Sequence, residues 1–357
     1  MSNLIKALNE GVKLQDLIDS LHLEANYGEG ELQDLVQLNY SQIDSPTKDP
    51  IADECRGLII NSKTNTIIAN PFPRFYNHGQ IEAAEIDWGT ARVQEKLDGS
   101  LCILYYYANF WRVATRGSLS AGGNVGELDR TFKEFFWDIW TRNRYELDFD
   151  PCKTYLSELT SPENKIVVSY PNQQLTLLAV RDTQSGQEYP IDRIKTTLPK
   201  VKTLGWDSNP DVIKSLLANT SPMKTEGVVF VDANYNRIKI KSDKYILIHK
   251  MRSKVTPRGI IELIKANEVD EFLTYFSEYK DEVNSYLNKL DALVLDLHDT
   301  YEEIKNIPVQ KDFAQKALTH KASCALFAIR SGKDDNFYHF LLHKIHVDKL
   351  LSILGHV

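Results

Sequence analysis

Apolar positions alternate with polar ones along most of the first 255 residues, then recur every third or fourth residue to the end. Alternation places successive side chains on opposite faces of a strand, whereas the longer period covers one face of a helix. The amino-terminal stretch MSNLIKALNEGVKLQDLIDSL is an early exception and predicts an amphipathic helix. LVQLNYSQI then predicts a strand, followed by the polar loop SPTKDPIADE. Residues 56–70 predict a hairpin, because two β-branched runs flank the turn-prone Asn61-Ser62-Lys63-Thr64-Asn65. ARVQEKLDGSLCILYYY and FWRVATRG predict a second strand pair, turning near Ala108 and Asn109. Residues 127–143 predict an aromatic-rich helix, and KTYLSEL, KIVVSY and LTLLAVRD predict three further strands. A helix around residues 209–219 and a hairpin in EGVVFVDANYNRIKIKS close this part.

From about residue 257 the segments IIELIKANEVDEFLTYF, EVNSYLNKLDALVLDLHDTYEEIKNI and NFYHFLLHKIHVDKLLSIL carry almost no strand signal. The pattern therefore predicts the α+β class: an antiparallel-sheet domain over residues 1–255 and an all-helical carboxy-terminal domain over residues 256–357.

No apolar run is long enough to cross a bilayer, and the amino terminus lacks a secretory signal, so a cytoplasmic protein is expected. Cys55, Cys102, Cys152 and Cys324 lie far apart with no CxxC pair, which predicts reduced thiols rather than a zinc knuckle or disulfides. The net charge of −7 argues against a protein that coats nucleic acid through bulk electrostatics. Any phosphate-binding surface has to be local, and Arg237–Arg258 fits, with eight lysines and arginines opposed only by Asp243.

Candidate chemistry centres on Lys96-Leu97-Asp98-Gly99. Alone, it also reads as an exposed lysine near a hairpin corner, with Asp-Gly making the turn. An ordered set follows it: Arg116-Gly117, Glu158, Glu226-Gly227, and Lys239 and Lys241 in RIKIKSD. Residues two apart on a strand share a face, so both of these lysines project toward one site. Two adjacent ammonium groups repel unless an anion lies between them, and a polyphosphate supplies that charge. His339 and His343 have helical metal-binding spacing but no HExxH glutamate, and read as an ordinary helix face. The YYYANFW cluster reads as hairpin packing rather than a base-stacking platform.

The set resembles the covalent nucleotidyltransferases (DNA ligases, RNA ligases and mRNA capping enzymes) and most closely the T4 RNA ligase 1 family. The likeness also takes in Glu54-Cys55-Arg56-Gly57, Pro73-Arg74-Phe75-Tyr76-Asn77, the Ser-Pro-x-Asn-x-Ile-Val run after Glu158, and Lys239-Ile240-Lys241-Ser242-Asp243 with Tyr245 behind it. It implies an ATP-grasp-like nucleotidyltransferase fold and an ATP-dependent RNA ligase working through lysyl-AMP and RNA-adenylate intermediates. Lys96 is then the nucleophile, with Lys239 and Lys241 at the α-phosphate. Arg56 and Arg74 fall to the outer phosphates or ribose, and Arg116 to the nucleotide site. Glu158 would contact ribose or metal, Glu226 a metal, and Asp270 a second metal. Asn39 and Tyr40 would lie near the adenosine, while Gly99 and Gly117 let the backbone approach it. Mg²⁺, with Mn²⁺ as a substitute, is the implied cation.

A lysine amine with an ordinary pKa of about 10.4 is protonated at neutral pH, so position 96 needs surroundings that remove its proton. The implied substrate is RNA with a 5′-phosphate and a 3′-hydroxyl, including nicked tRNA. The sequence carries no kinase P-loop, so separate end-healing enzymes are expected as partners, with a monomer acting in a cytoplasm, the host's if the source is viral. DNA ligases and capping enzymes are the alternatives within the chemistry, but both carry an OB-fold where this chain turns helical. A non-catalytic RNA-binding module on the same fold is the alternative outside it.

Overall fold

The strand-forming runs assemble into three antiparallel sheets, since a single amphipathic strand or hairpin cannot bury its apolar face alone. The first sheet has the order β1-β2-β3-β4, from Leu23–Tyr27, Leu35–Tyr40, Arg56–Asn61 and Thr66–Ala69. Strands β5 (Arg92–Lys96), β6 (Ser100–Tyr107), β7 (Phe110–Thr115), β8 (Lys153–Thr160), β9 (Gln174–Asp182) and β10 (Glu188–Tyr189) follow. β11 (Thr203–Leu204), β12 (Gly227–Val231) and β13 (Arg237–Lys241) complete the set. The second sheet runs β10-β9-β8-β6-β7 and the third β11-β5-β12-β13. This computed structural model describes every residue except Met1, Glu127, Asp207, residues 253–255, Glu268, His356 and Val357.

The first two sheets share a core of Leu35, Ile59, Ile103, Tyr105, Leu156 and Ala179. Leu4, Leu8, Leu17 and Ile18, from two short helices, cover the other face of the first sheet. Phe135, Phe136 and Ile139 of helix Phe132–Arg142 cover the second, and a Thr131/Glu134 capping box closes that helix. The third sheet packs Val93, Val228, Phe230 and Ile238 against Ile213 and Leu217 of helix Pro210–Ala218.

Four local departures from the pattern are instructive. The expected amino-terminal helix is two helices, Asn3–Asn9 and Leu14–Ser20, with Gly11 at φ +95° between them. Strand β1 gave no signal because most of its side chains are exposed or half-buried, leaving no alternation to read. The KIVVSY run is not a strand. Val167 and Val168 are buried, but their N–H groups donate to Asp98 Oδ2, both at 2.8 Å, instead of to a neighbouring strand. Finally, ARVQEKLDGSLCILYYY is two strands in two sheets, broken at Leu97-Asp98-Gly99. The predicted turn at Ala108 and Asn109 is present, both residues adopting positive φ between β6 and β7.

The chain divides into two compact units, Met1–Tyr245 and Ile246–Val357. The division falls earlier than the boundary read from the pattern, because helix Asp243–Arg252 carries the chain across it. Among the described residues the second unit is helical, with the 25-residue helix Lys280–Ile304 burying Leu290, Leu293 and Leu297. No helix is long and apolar enough to cross a membrane among the described residues. All four cysteines are free thiols, and burial pushes those of Cys55 and Cys102 well above the ordinary range.

Candidate active site

Lys96 is the last residue of β5, where the strand leaves the third sheet. Across the sheet Gly227 of β12 faces both Lys96 and Lys241 of β13. Gly227 adopts φ +153°, and a Cβ there would sit 2.1 Å from the Ile240 carbonyl oxygen, so only glycine allows this approach. Glu226, one residue earlier, thereby reaches between the two lysines. Its Oε2 lies 2.6 Å from Lys96 Nζ and its Oε1 2.8 Å from Lys241 Nζ. Burial opposes the charge on Glu226, yet Lys96 and Lys241 outweigh it and hold the carboxyl below the usual glutamate range. The Glu226 carboxylate, expected from the sequence to contact a metal, is thus ion-paired directly with the candidate nucleophile's amine.

Arg237, Lys239 and Lys241 share one face of β13 while Ile238 and Ile240 are buried on the other. Lys239 Nζ donates to the Phe75 carbonyl at 3.0 Å and lies 5.2 Å from the centre of that ring. Burial, reinforced by the charges of Lys96, Lys241 and Arg56, pushes its pKa down to about 7. Glu158 moves the opposite way. Burial pushes its carboxyl up to about 7, against the pull of Lys96 and Arg56 and with the help of Glu226. Its Oε1 accepts the Gly99 N–H at 3.1 Å. An ammonium and a carboxyl, each interacting electrostatically with Lys96, thus both change charge near neutrality, and such perturbed groups concentrate at functional sites.

Asp98 is not a hairpin corner. It is 2% exposed, and besides the two N–H groups of Val167 and Val168 its carboxylate accepts the Tyr245 hydroxyl at 2.6 Å. Its own N–H donates to the Tyr170 hydroxyl at 3.0 Å. These bonds fix the backbone immediately after Lys96. Nothing in the one-dimensional pattern marked Tyr170, which meets Asp98 only through the fold. Gly99 is small for the sake of packing, since a Cβ there would lie 2.3 Å from the Leu159 carbonyl oxygen of β8. Gly117 has open space at the same position.

Three guanidinium groups converge on Tyr40, at the end of β2. Arg74 and Arg116 lie 4.3 and 4.9 Å from the centre of its ring, and Arg56 interacts with it electrostatically. The Nη1 atoms of Arg56 and Arg74 are buried without any hydrogen-bond partner. Buried donors are nearly always satisfied, so two orphaned guanidinium nitrogens call for an acceptor from outside the chain. Asn39 Nδ2 and Gln37 Nε2 donate to the carbonyls of Arg116 and Thr115, tying β2 to the end of β7. Arg56, Lys96 and Glu158 line one pocket together with Phe75, Gln94 and Val229.

Other residues singled out from the sequence have different places. Glu54 accepts from Asn3 N and Leu4 N and so caps the first helix. Asp270 is exposed on helix Val269–Tyr275 of the second unit, and among the described residues no three His, Cys, Asp or Glu side chains form a metal cluster. In the basic stretch Arg237–Arg258, residues 253–255 lie outside the described residues. His339 pairs with Asp334 and packs against His343, whereas Trp111 of the β6–β7 hairpin packs between Tyr106 and Tyr155 of β8.

The sequence profile of an RNA ligase family, of the T4 RNA ligase 1 type, matches residues 54–245. The chain belongs to the T4 RNA ligase 1 family. The match ends at the last residue of the first unit and takes in the site residues above except Gln37, Asn39, Tyr40 and the candidate Asp270. A provisionally assigned bifunctional polynucleotide kinase/RNA ligase of Autographa californica nuclear polyhedrosis virus is 30% identical over 309 residues. That alignment covers 78% of this chain but only 42% of the viral protein, so the chain spans less than half of that relative's length. The RNA ligase of Rhodothermus phage RM378 is 23% identical, with 79% of this chain and 82% of the phage protein aligned. Among solved structures, an archaeal ATP-dependent RNA ligase superposes with a TM-score of 0.46 at 14% identity, covering 73% of this chain and 68% of its own. The family resemblance read from the motifs is borne out for this T4 RNA ligase 1 family member.

Proposed function

We propose that this protein is an ATP-dependent RNA ligase that joins a 5′-phosphate to a 3′-hydroxyl. The observation that carries this reading is the convergence on Lys96 of Glu226, Lys239, Lys241 and Glu158, beside two buried guanidinium groups without acceptors.

The Lys96 amine attacks the α-phosphorus of ATP, forming a P–N bond as the bond to pyrophosphate breaks. The 5′-phosphate of RNA then displaces the lysine and accepts AMP. Last, the 3′-hydroxyl attacks that phosphate, forming the phosphodiester as AMP leaves. Two covalent transfers replace one difficult displacement. Lys239 and Lys241 stabilise charge on the α-phosphate, and Arg56 and Arg74 take the outer phosphates with their planar donor forks. Attack requires the ion pair with Glu226 to give up its proton on Lys96. Glu226 and Glu158 are the nearest carboxylates for that role.

These two carboxylates are also the donors that suit Mg²⁺ or Mn²⁺, which binds through one or two carboxylates together with substrate phosphates. Glu158 fits, since a buried carboxyl pushed up to about 7 is short of positive charge. Such a cation, when bound, supplies charge to the phosphate oxygens.

The 5′-phosphate would come from a separate end-healing kinase, and nicked tRNA in a cytoplasm is the natural substrate under this reading. The second unit, exposing Asp270, would help select the RNA. Ligation of 5′-phosphorylated single-stranded RNA, single-stranded DNA and nicked duplex DNA, side by side, tests the substrate. RNA joining is expected; efficient sealing of nicked DNA with no activity on RNA ends would overturn it.

Lys239 also predicts a pH dependence. With its pKa lowered to about 7 it is largely neutral at pH 8, and a polyphosphate beside it favours the charged form. Binding of metal-free ATP at pH 8 should therefore take up close to one proton, falling toward zero below pH 6. Calorimetry in buffers of different ionisation enthalpy measures this, and Lys239→Gln should reduce the uptake to what Glu158, which also titrates near 7, contributes. Proton release at pH 8 would refute the assignment.

A further inference from the structure

The first unit also holds a cavity of 620 Å³ that is not the pocket containing Lys96. It adjoins that pocket, because Phe72, Phe75 and Arg237 line both. Its size is that of a small-molecule site. Its charge is unlike that of a polyphosphate site, since four carboxylates, including Asp53, Glu82 and Glu85, balance its four basic side chains. Two of those cations are already engaged, while Arg74, which also lines the cavity, keeps its Nη1 for the outer phosphates assigned to it above. Arg237 pairs with Glu188 at 2.5 Å and lies 4.4 Å from the centre of the Phe72 ring, and Arg181 donates to the carbonyls of Asn70 and Gly186.

One side of the cavity is the β12–β13 turn, where Tyr235 adopts φ +62°. The left-handed region is an outlier for a bulky residue, and asparagine or glycine occupies it far more readily. Asparagines stand on both sides, yet the tyrosine holds the strained position. Asp232 locks the turn by accepting the N–H groups of Asn234 and Asn236, each at 2.9 Å. The result is a fixed turn backbone that places Tyr235 at the cavity wall. Backbone strain that the surroundings over-determine is concentrated at functional sites.

Resting on the ligase reading above, we propose that this cavity seats the nucleoside of an RNA residue next to the ends being joined, with Tyr235 as its stacking face. An aromatic face, amide side chains and hydrogen-bond-accepting carboxylates suit a base and ribose. The shared wall at Phe72 and Phe75 places such a residue beside the lysine pocket.

Two variants separate the contributions. Tyr235→Asn removes the ring but tolerates the left-handed backbone, so its melting temperature should not fall; Tyr235→Phe keeps the ring. On a 5′-phosphorylated single-stranded RNA oligonucleotide, Tyr235→Asn should raise KM about tenfold, and Tyr235→Phe by no more than about twofold. The rate at which ATP alone labels the protein with AMP should match the unmodified protein in both. An unchanged KM in Tyr235→Asn overturns the proposal. So does a fall in AMP labelling that parallels the KM change, which would assign the cavity to ATP or pyrophosphate. A native protein that acquires no AMP label at all is a different outcome, which removes the ligase reading itself and this subsite with it.

Discussion

Lys96→Ala and Lys96→Arg should each leave a folded protein that acquires no AMP from labelled ATP. The expected loss is complete, because the resemblance to the family gives the nucleophile's place to Lys96 alone. Lys241 stands two strands away from Lys96 in the third sheet, and Lys239 Nζ is hydrogen-bonded to the Phe75 carbonyl. Arginine fails for a chemical reason, as a guanidinium cannot be made neutral in a protein and so cannot attack phosphorus. Folding should survive, because Glu226 keeps Lys241 as a partner and no buried carboxylate is left unpaired. The measurement is an acid-labile, hydroxide-stable label on denatured protein, located by mass spectrometry after proteolysis. A label that persists in Lys96→Ala, or maps to another lysine, would remove the basis of the mechanism.

Asp98→Ala should be the most destabilising single change in the site. It strips acceptors from three groups at once: the N–H groups of Val167 and Val168, and the Tyr245 hydroxyl. Each buried polar group left unsatisfied costs about 1–3 kcal/mol, so a loss of roughly 3 kcal/mol or more is expected. For a unit of this size, that lowers the melting temperature by roughly 6–12 °C. AMP labelling should fall as well, because the backbone that holds Lys96 is no longer anchored. Asp98→Asn, which keeps one acceptor oxygen, should recover part of both. If Asp98→Ala melted like the unmodified protein and yet failed to label, the carboxylate would be acting on the substrate rather than holding the loop.

The sequence by itself determined a good deal. Alternation fixed most strands and the helical end, because burial on one face of a sheet or helix imposes a period that survives in one dimension. The family was legible from the spacing of Lys96, Glu158, Glu226, Lys239 and Lys241, and the common face of the two β13 lysines from their separation by two. Contacts between remote segments were decided by the tertiary structure alone. KIVVSY has a strand's composition, but Asp98, sixty-nine residues earlier, claims its N–H groups. Asp98-Gly99 has a turn's composition, but it is the point where one chain passes between two sheets. The ion pair of Lys96 with Glu226, the three arginines around Tyr40, and the strained Tyr235 over a neighbouring cavity share this origin. Each depends on distance through space, and neither periodicity nor residue type encodes which distant groups a fold will bring within hydrogen-bonding reach.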